Sequence, residues 1–453
     1  MSDITLKIDG RDVKAPEGAT ILEACHQIGI QIPTLCFLKE TNAVSACRMC
    51  VVEVRGAKTL MPSCTTVVTP GMEVSTHSDK VMQSRRTSLD LLSESHRMTC
   101  EYCTRYTDCE FHALLDYYGL DDRKYVYTYH PKEEDESSPC IIWDYSKCVK
   151  CRRCYAACEQ TGVGAVGIFN RSVQERIGPV STLTDSVCTG CGLCTVSCPT
   201  GALRERDDVQ QVFNALAQHK KVVAFVSPYA SAAIGESFAE LPGTDSEKKL
   251  IGALHRMGFD KVYAMPAISY TPPEVSPVLL SRCPAFVRYL ESSYPDLTKH
   301  LAKREALLPE QQKDVFVVLI GPCTAEKPVA NDVDVYLTVR ELVNMFKRAC
   351  VSRFTAQQVW SDMDGDEQFD PPPVSVQADR PVNPIDKLQK VTTSLVEAKA
   401  LLDALKDGKA GFEALEVLVC PGGCINGGGQ PRQPGIVHNF SDLAGLRNQA
   451  IRK

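Results

Sequence analysis

Long apolar runs are missing from this 453-residue sequence. Its most apolar stretches, Val222 to Val226 and Val315 to Ile320, are far shorter than the roughly 20 residues a membrane-spanning helix requires, which argues against a membrane protein. A dominant charge is missing too: the net charge is -6 with both signs mixed along the chain, so nothing points to a nucleic-acid partner. The first residues, MSDITLKIDG, have neither the basic start nor the apolar core of a signal peptide, so a cytoplasmic location is expected. No G-x-G-x-x-G follows a strand, so the chain offers no dinucleotide fingerprint.

What the sequence does have is cysteine, 22 in all, alongside enough apolar residues (44%) to build cores; its length suggests about three domains. In a reducing compartment such cysteines serve as ligands rather than disulfides. Cys148, Cys151, Cys154 and Cys158 spell C-x2-C-x2-C-x3-C, and Cys188, Cys191, Cys194 and Cys198 spell it again, with Pro199 after the last. In the bacterial two-cluster pattern the fourth cysteine of each run crosses to the other cluster. This assigns Cys148, Cys151, Cys154 and Cys198 to one 4Fe-4S cluster, and Cys188, Cys191, Cys194 and Cys158 to a second. Gly190 and Gly192 let the second loop wrap closely. Zinc also takes C-x2-C pairs, but eight cysteines in doubled spacing make it the remoter reading.

Ahead of this stretch, Ile4, Leu6 and Ile8 alternate with polar residues up to Asp9-Gly10, predicting a hairpin, and Thr20 is placed to cap a short helix. Cys36, Cys47, Cys50 and Cys64 follow, and Arg48 beside the central pair argues against four unrelated core cysteines. The set resembles the ligands of a ubiquitin-like 2Fe-2S ferredoxin, as in the N-terminal module of hydrogenases and of the large iron-sulfur subunit of respiratory complex I. An amphipathic helix is predicted over 78–95, capped by Ser78, with Val81, Met82, Leu89 and Leu92 on one side. His96, Cys100, Cys103 and Cys109 come next. A lone histidine is usually structural, but here it supplies the fourth ligand that three close cysteines lack. The same families carry a His-ligated 4Fe-4S cluster with this spacing, which makes this the third cubane. Asp121 to Asp135 reads as a surface connection; Cys25, Cys140 and Cys350 read as unliganded thiols.

From about residue 210 the texture becomes α/β. Lys221 to Val226 and Val315 to Ile320 read as buried parallel strands, 247–257 and 338–349 as helices, the latter capped by Thr338, and Leu415 to Val419 as a strand running into CPGGCINGGGQP. Asp370 to Asn383 reads as a proline-rich surface segment. Ser281 to Phe286, Pro322 to Ala325 and Cys420 to Pro431 resemble, in order, the three signatures of the FeFe-hydrogenase catalytic domain. The resemblance implies that Cys283, Cys323, Cys420 and Cys424 hold a fourth 4Fe-4S cluster, with Gly422, Gly423, Gly427, Gly428 and Gly429 letting backbone approach it. In the family the cysteine matching Cys424 also bridges to a hydrogen-converting di-iron centre. The implied architecture is α+β and multidomain. A β-grasp 2Fe-2S domain (1–77) and a His/Cys3 module (78–120) precede a bacterial-type two-cluster domain (121–207) and a two-lobed α/β hydrogenase-like domain (208–453).

The departures from the family cluster where hydrogen is handled. Arg282 stands where a proton-relaying cysteine is expected, and Glu326 where a lysine contacts the di-iron ligands, with Lys327 one step beyond. Between the strand ending at Val262 and Cys283, and between Cys283 and Cys323, the chain is shorter than in the family; Glu274, the one candidate for the proton-path glutamate, is flanked by Pro272, Pro273 and Pro277. The favoured reading is an iron-sulfur electron-transfer subunit without a di-iron centre. It would work with a flavin- and NAD(P)-binding subunit, a thioredoxin-like 2Fe-2S subunit and ferredoxin, as the electron-bifurcating hydrogenase α subunit does. An active hydrogenase with a rebuilt proton path, and a redox or hydrogen sensor, are the alternatives; a sensor should carry a signalling domain, and the sequence stops at Lys453 soon after the third signature.

Overall fold

The computed structural model describes residues 3–120, 134–265, 270–304, 315–330, 333–349, 351, 389–433 and 435–451. Cys350, the 370–383 segment and most of 121–135 lie outside them. No helix among the described residues is long and apolar enough to cross a membrane.

Asp3–Ile8 and Arg11–Pro16 pair antiparallel around Asp9 and Gly10, whose φ of 47° and 80° make the mirror-image turn that tight hairpins favour. Leu6, Ile8, Val13 and Ala15 thereby face one core. Thr20 Oγ1 accepts from Glu23 N while Glu23 accepts from Thr20 N, the reciprocal cap that starts the helix Ile21–Gln27. The five-stranded sheet runs Arg11–Pro16, Asp3–Ile8, Glu73–Ser75, Val51–Val54, Met61–Pro62, with Asp3–Ile8 and Glu73–Ser75 parallel.

Ser78 caps the helix Asp79–Ser93, and Cys109 caps Glu110–Tyr118 through its Sγ. Their buried Leu89, Phe111 and Leu115 share one apolar cluster with Leu35 and Met49 before them and Val149 after them. The cores therefore do not stop at residue 77 or 120; the first three cysteine sets are packed into one block. The doubled motif is closed off by Ile141–Trp143 pairing antiparallel with Leu203–Glu205.

The last part holds two larger sheets, besides the short antiparallel pair of Tyr270–Thr271 with Lys303–Arg304. One is fully parallel in the order Lys261–Ala264, Lys221–Val226, Val315–Gly321, Val335–Thr338. The other, also parallel, runs Val278–Leu280, Ala414–Val417, Gln389–Thr392. Each has its own core, with Pro284–Ser293 and Leu395–Lys406 packed on the smaller sheet. The expected helices appear as Glu247–Arg256 and Val339–Arg348, the second with a reciprocal Thr338/Glu341 cap. The strand expected over 415–419 spans Ala414–Val417. Lys221–Val226 is not uniformly buried: Val222, Ala224 and Val226 are, but Val223 and Phe225 only partly, because the opposite face of this sheet meets a thinner cluster around Leu319 and Tyr336.

Candidate metal centres

The two halves of the doubled motif share a backbone. Lys150 and Arg152 in the first loop, and Gly190 and Gly192 in the second, all have left-handed φ, at 54°, 64°, 70° and 73°. This coil turns amide groups onto the thiols: Lys150 N–H onto Cys148, Gly190 onto Cys188 and Leu193 onto Cys191. Cys148, Cys151, Cys154 and Cys198 line one cavity together with Trp143, Pro199 and Thr200. Cys158 turns the other way, where its Sγ accepts from Ala165 N at 3.2 Å. Burial pushes the Cys188 thiol up to about 11 and the Cys191 thiol up to about 12, and the charge of Cys158 adds to both. Burial and the charge of Cys198 do the same to Cys148, at about 11. Thiols so buried stay protonated until a metal or cluster displaces the proton.

In the N-terminal domain the thiols stand as two couples. A hydrogen bond from Cys47 pulls the Cys36 thiol down to about 6, and one from Cys50, whose Sγ lies 3.3 Å away, pulls Cys64 down to about 7. Arg48 is exposed between them. His96 is buried, and burial pushes its pKa down to about 4, so the ring is neutral. Its Nδ1 lies 2.9 Å from the Lys147 carbonyl, which can only accept, so Nδ1 carries the proton and Nε2 keeps its lone pair. An imidazole oriented in this way is the usual state of a metal-bound histidine. Cys103 faces Gly201, where a Cβ would stand 2.8 Å from its Sγ, and Cys109 lies 3.6 Å from the Pro199 carbonyl.

Cys283 sits at the start of the helix Pro284–Ser293, where the amides of Val419, Phe286 and Ala285 point at its sulfur. Burial raises the Cys323 thiol, and Cys283, Cys420 and Cys424 each push it further, so the three signatures converge. Cys191 in turn adds to Cys420, which places this fourth set beside the second loop of the doubled motif. Gly428 donates its amide to Cys420, but its missing side chain has another cause: a Cβ there would stand 2.0 Å from the Cys191 carbonyl. A Cβ on Gly427 would stand 2.4 Å from the Pro322 carbonyl, and one on Gly429 2.8 Å from Thr338. These three glycines make room for neighbouring chain, whereas Gly422 and Gly423 supply φ of 77° and 87°.

Beside Cys424 the space is occupied by charge. Arg282 lies 3.3 Å from Glu416 and 3.4 Å from the Tyr229 hydroxyl, and its cation offsets the burial that pushes Cys424 up to about 12. Glu326 pairs with Arg304 at 2.5 Å. Lys327 turns away from this site altogether, to Asp208 at 2.6 Å and Glu341 at 2.8 Å. Glu274 is exposed on a bend between Tyr270–Thr271 and Val278–Leu280, with no helix around it. Cys25 lies in the core of the first sheet; Cys140 is buried against Gly190, 3.5 Å from Arg288 Nη1.

Sequence reasoning missed the groups that hold the cysteine sets together. Arg153 forms a double ion pair with Glu110 at 2.7 and 3.0 Å and donates to the Phe37 carbonyl, tying three sets at once. Asn42 donates to the carbonyls of both Cys36 and Cys151. Arg105 spans the Cys198 and Thr200 carbonyls at 2.9 Å each. Arg340 grips Glu205 and the Gly428 and Gln430 carbonyls. Arg153, Arg105 and Asn42 lie between cysteines of their sets, but nothing in the spacing says what they hold, and Arg340 lies outside every motif.

The donor sets suit iron-sulfur clusters: mostly thiols with amide donors around the sulfurs, and one neutral imidazole. Among the described residues no three Cys, His, Asp or Glu side chains close in as tightly as a single metal ion requires, and a polynuclear cluster spreads its thiolates over a wider shell. Comparison with known proteins finds a 2Fe-2S iron-sulfur cluster binding domain over residues 2–79 and a 4Fe-4S dicluster domain over 142–204. The C-terminal domain of the iron only hydrogenase large subunit matches residues 220–372 and 374–428. The chain is 32% identical to the NADP-reducing hydrogenase subunit HndD of Solidesulfovibrio fructosivorans, over 96% of this chain and 90% of that protein. It is 29% identical to iron hydrogenase 1 of Clostridium pasteurianum, over 94% and 88%. A shorter match, covering 44% of this chain and 24% of the other protein, is 31% identical to the NADPH-Fe(3+) oxidoreductase subunit alpha of Geobacter sulfurreducens. With 2Fe-2S and 4Fe-4S domains ahead of a hydrogenase-like domain, the chain belongs to the iron-only hydrogenase large-subunit family.

Proposed function

We propose that this chain is the iron-sulfur subunit of an oxidoreductase complex that links ferredoxin with NAD(P), and that it does not itself turn over hydrogen. One 2Fe-2S cluster would be held by Cys36, Cys47, Cys50 and Cys64. Four 4Fe-4S clusters would be held by His96 with Cys100, Cys103 and Cys109; by Cys148, Cys151, Cys154 and Cys198; by Cys158, Cys188, Cys191 and Cys194; and by Cys283, Cys323, Cys420 and Cys424. Such clusters supply one-electron transfer. The chain's own part is to hold these ligand sets at fixed spacing, and the buried ties of Asn42, Arg153, Arg105 and Arg340 support that role. Flavin and NAD(P) would sit on partner subunits, one of them thioredoxin-like, in the manner of a bifurcating transhydrogenase.

The observation that carries the absence of hydrogen chemistry is Arg282. A guanidinium anchored by Glu416 and Tyr229 stands next to Cys424, where the family resemblance puts a di-iron centre and its proton relay. Arginine stays protonated and cannot shuttle protons near neutral pH. With Glu326 paired to Arg304 and Lys327 turned away to Asp208, neither supplies the lysine contact that the resemblance expects. The test is infrared spectroscopy of the complex with an iron count. No carbonyl or cyanide bands and about eighteen irons, from one 2Fe-2S and four 4Fe-4S clusters, are expected. Such bands, or hydrogen evolution from reduced viologen by the chain, would restore the active hydrogenase. The NADP-reducing hydrogenase relative keeps that second reading in play.

A further inference from the structure

Where the loop between Cys103 and Cys109, the strand after Cys198 and the segment after the third signature meet, they enclose a cavity of about 200 Å³. Arg105, Arg340, Arg432 and Lys347 contribute to its wall, with Ser237 and Asn344 beside them. The first three cations are buried, at 3%, 5% and 7% exposure. They share two carboxylates, and both are already taken. Arg105 Nε holds Asp108 Oδ1 at 2.7 Å, and Arg340 holds both oxygens of Glu205 at 2.7 to 3.0 Å. Arg432 comes third. It reaches Asp108 only at 3.5 Å and Glu205 only at 3.7 Å, while its Nε is spent on the Thr195 carbonyl at 2.8 Å. Across the cavity Lys347 Nζ rests on the Thr107 hydroxyl at 2.9 Å.

A buried guanidinium that must share both of its counter-charges with other arginines is under-compensated, and one crowded by two other cations more so. Burial and the charges of Arg105 and Arg340 accordingly push the pKa of Arg432 down to about 9, a value that still leaves it cationic at neutral pH. We propose that this cavity binds a phosphate-type oxyanion, held by Arg432 and Lys347. Guanidinium and ammonium are the usual partners of such groups, and the side chains of Asn344 and Ser237 add neutral donors. The cavity is smaller than the roughly 300 Å³ at which drug-sized ligand pockets begin, so it takes a free oxyanion or the phosphoryl end of a larger molecule. Its walls come from three parts of the chain, so occupancy ties the His96 loop, the doubled motif and the hydrogenase-like domain together.

The test uses the whole chain, isolated anaerobically with its clusters, and inorganic phosphate as probe against chloride at equal ionic strength. Calorimetric titration should show one saturable site, and the melting midpoint should climb with the logarithm of phosphate concentration, as binding to the folded state alone requires. Arg432→Gln should weaken phosphate affinity about tenfold or more, and Lys347→Gln, at the exposed rim, severalfold, both through lost charge-assisted bonds. If Arg432→Gln does not fold, Lys347→Gln decides. A nucleotide with a terminal phosphoryl group that displaces phosphate identifies the larger source; phosphate binding that nucleotide leaves untouched identifies the free ion. No saturable binding, or equal affinity in the parent and the folded variants, overturns the proposal.

Discussion

The loops after Cys148 and after Cys188 have the same left-handed turns and opposite surroundings. In the first, the left-handed positions are Lys150 and Arg152, side chains that reach outward, Arg152 to Glu175 at 2.9 Å. In the second they are glycines, and the reason is outside the loop. A Cβ on Gly190 would stand 2.6 Å from Cys140 Sγ and one on Gly192 2.3 Å from Thr324 Oγ1, while Thr324 donates to the Gly190 carbonyl at 2.6 Å. The first loop leans on the 2Fe-2S domain through Asn42 and Arg153; the second is pressed into the hydrogenase-like domain. Coiling of the loop does not by itself demand glycine here; the close packing of Cys140 on Gly190 and of Thr324, from the hydrogenase-like domain, on Gly192 does.

Four measurements would break or sharpen this contrast. The largest effect is expected at the two cysteines proposed to cross between loops. Cys198→Ala should abolish the paramagnetic signal of the cluster assigned to Cys148, Cys151 and Cys154, and Cys158→Ala that of the cluster assigned to Cys188, Cys191 and Cys194. Loss of only the cluster local to each run would end the crossed assignment. Next comes the anchor behind the second loop. Glu205→Gln leaves Arg340 and Arg432 without their buried partner and should cost about 3–5 kcal/mol in denaturant unfolding. Burial alone would raise the Glu205 carboxyl, but Arg340 and Arg432 hold it well below its ordinary value of 4.5. Its contribution to stability is therefore complete above about pH 4.5 and is lost as pH falls below that, so the variant should show a flatter acid limb.

Gly192→Ala follows, at about 2–4 kcal/mol, the sum of left-handed strain and the collision with Thr324. Arg152→Gly, the matching change in the first loop, should stay within about 1 kcal/mol of the parent, since relief of strain offsets a half-exposed ion pair and a looser unfolded chain. Equal penalties for these two substitutions would mean that the loops, and not their neighbours, set the glycine requirement.

Much of the fold was legible because its signals are local. The hairpin at Asp9-Gly10, the caps at Thr20, Ser78 and Thr338 and the parallel strands at 221–226 and 315–320 each lie within a few residues of the pattern that announces them. The cysteine spacings were legible for the same reason. The Gly427 to Gly429 run was visible, but its neighbour was not: the expected approach to a cluster is in large part an approach to Cys191, Pro322 and Thr338.

By itself the sequence determined the cysteine sets and their spacing, the order of the domains and the substitutions at Arg282 and Glu326, since spacing and residue type are properties of the chain alone. Tertiary structure alone decided which ion each charged group meets. Lys327 pairs with Asp208, Arg153 with Glu110, and Arg432 with Asp108 and Glu205, both shared with other arginines, because these partners are far apart in the chain and only the packing of separate parts brings them within a few ångström. Buried charge is expensive enough that each such meeting is set by the whole fold, and no local pattern announces it.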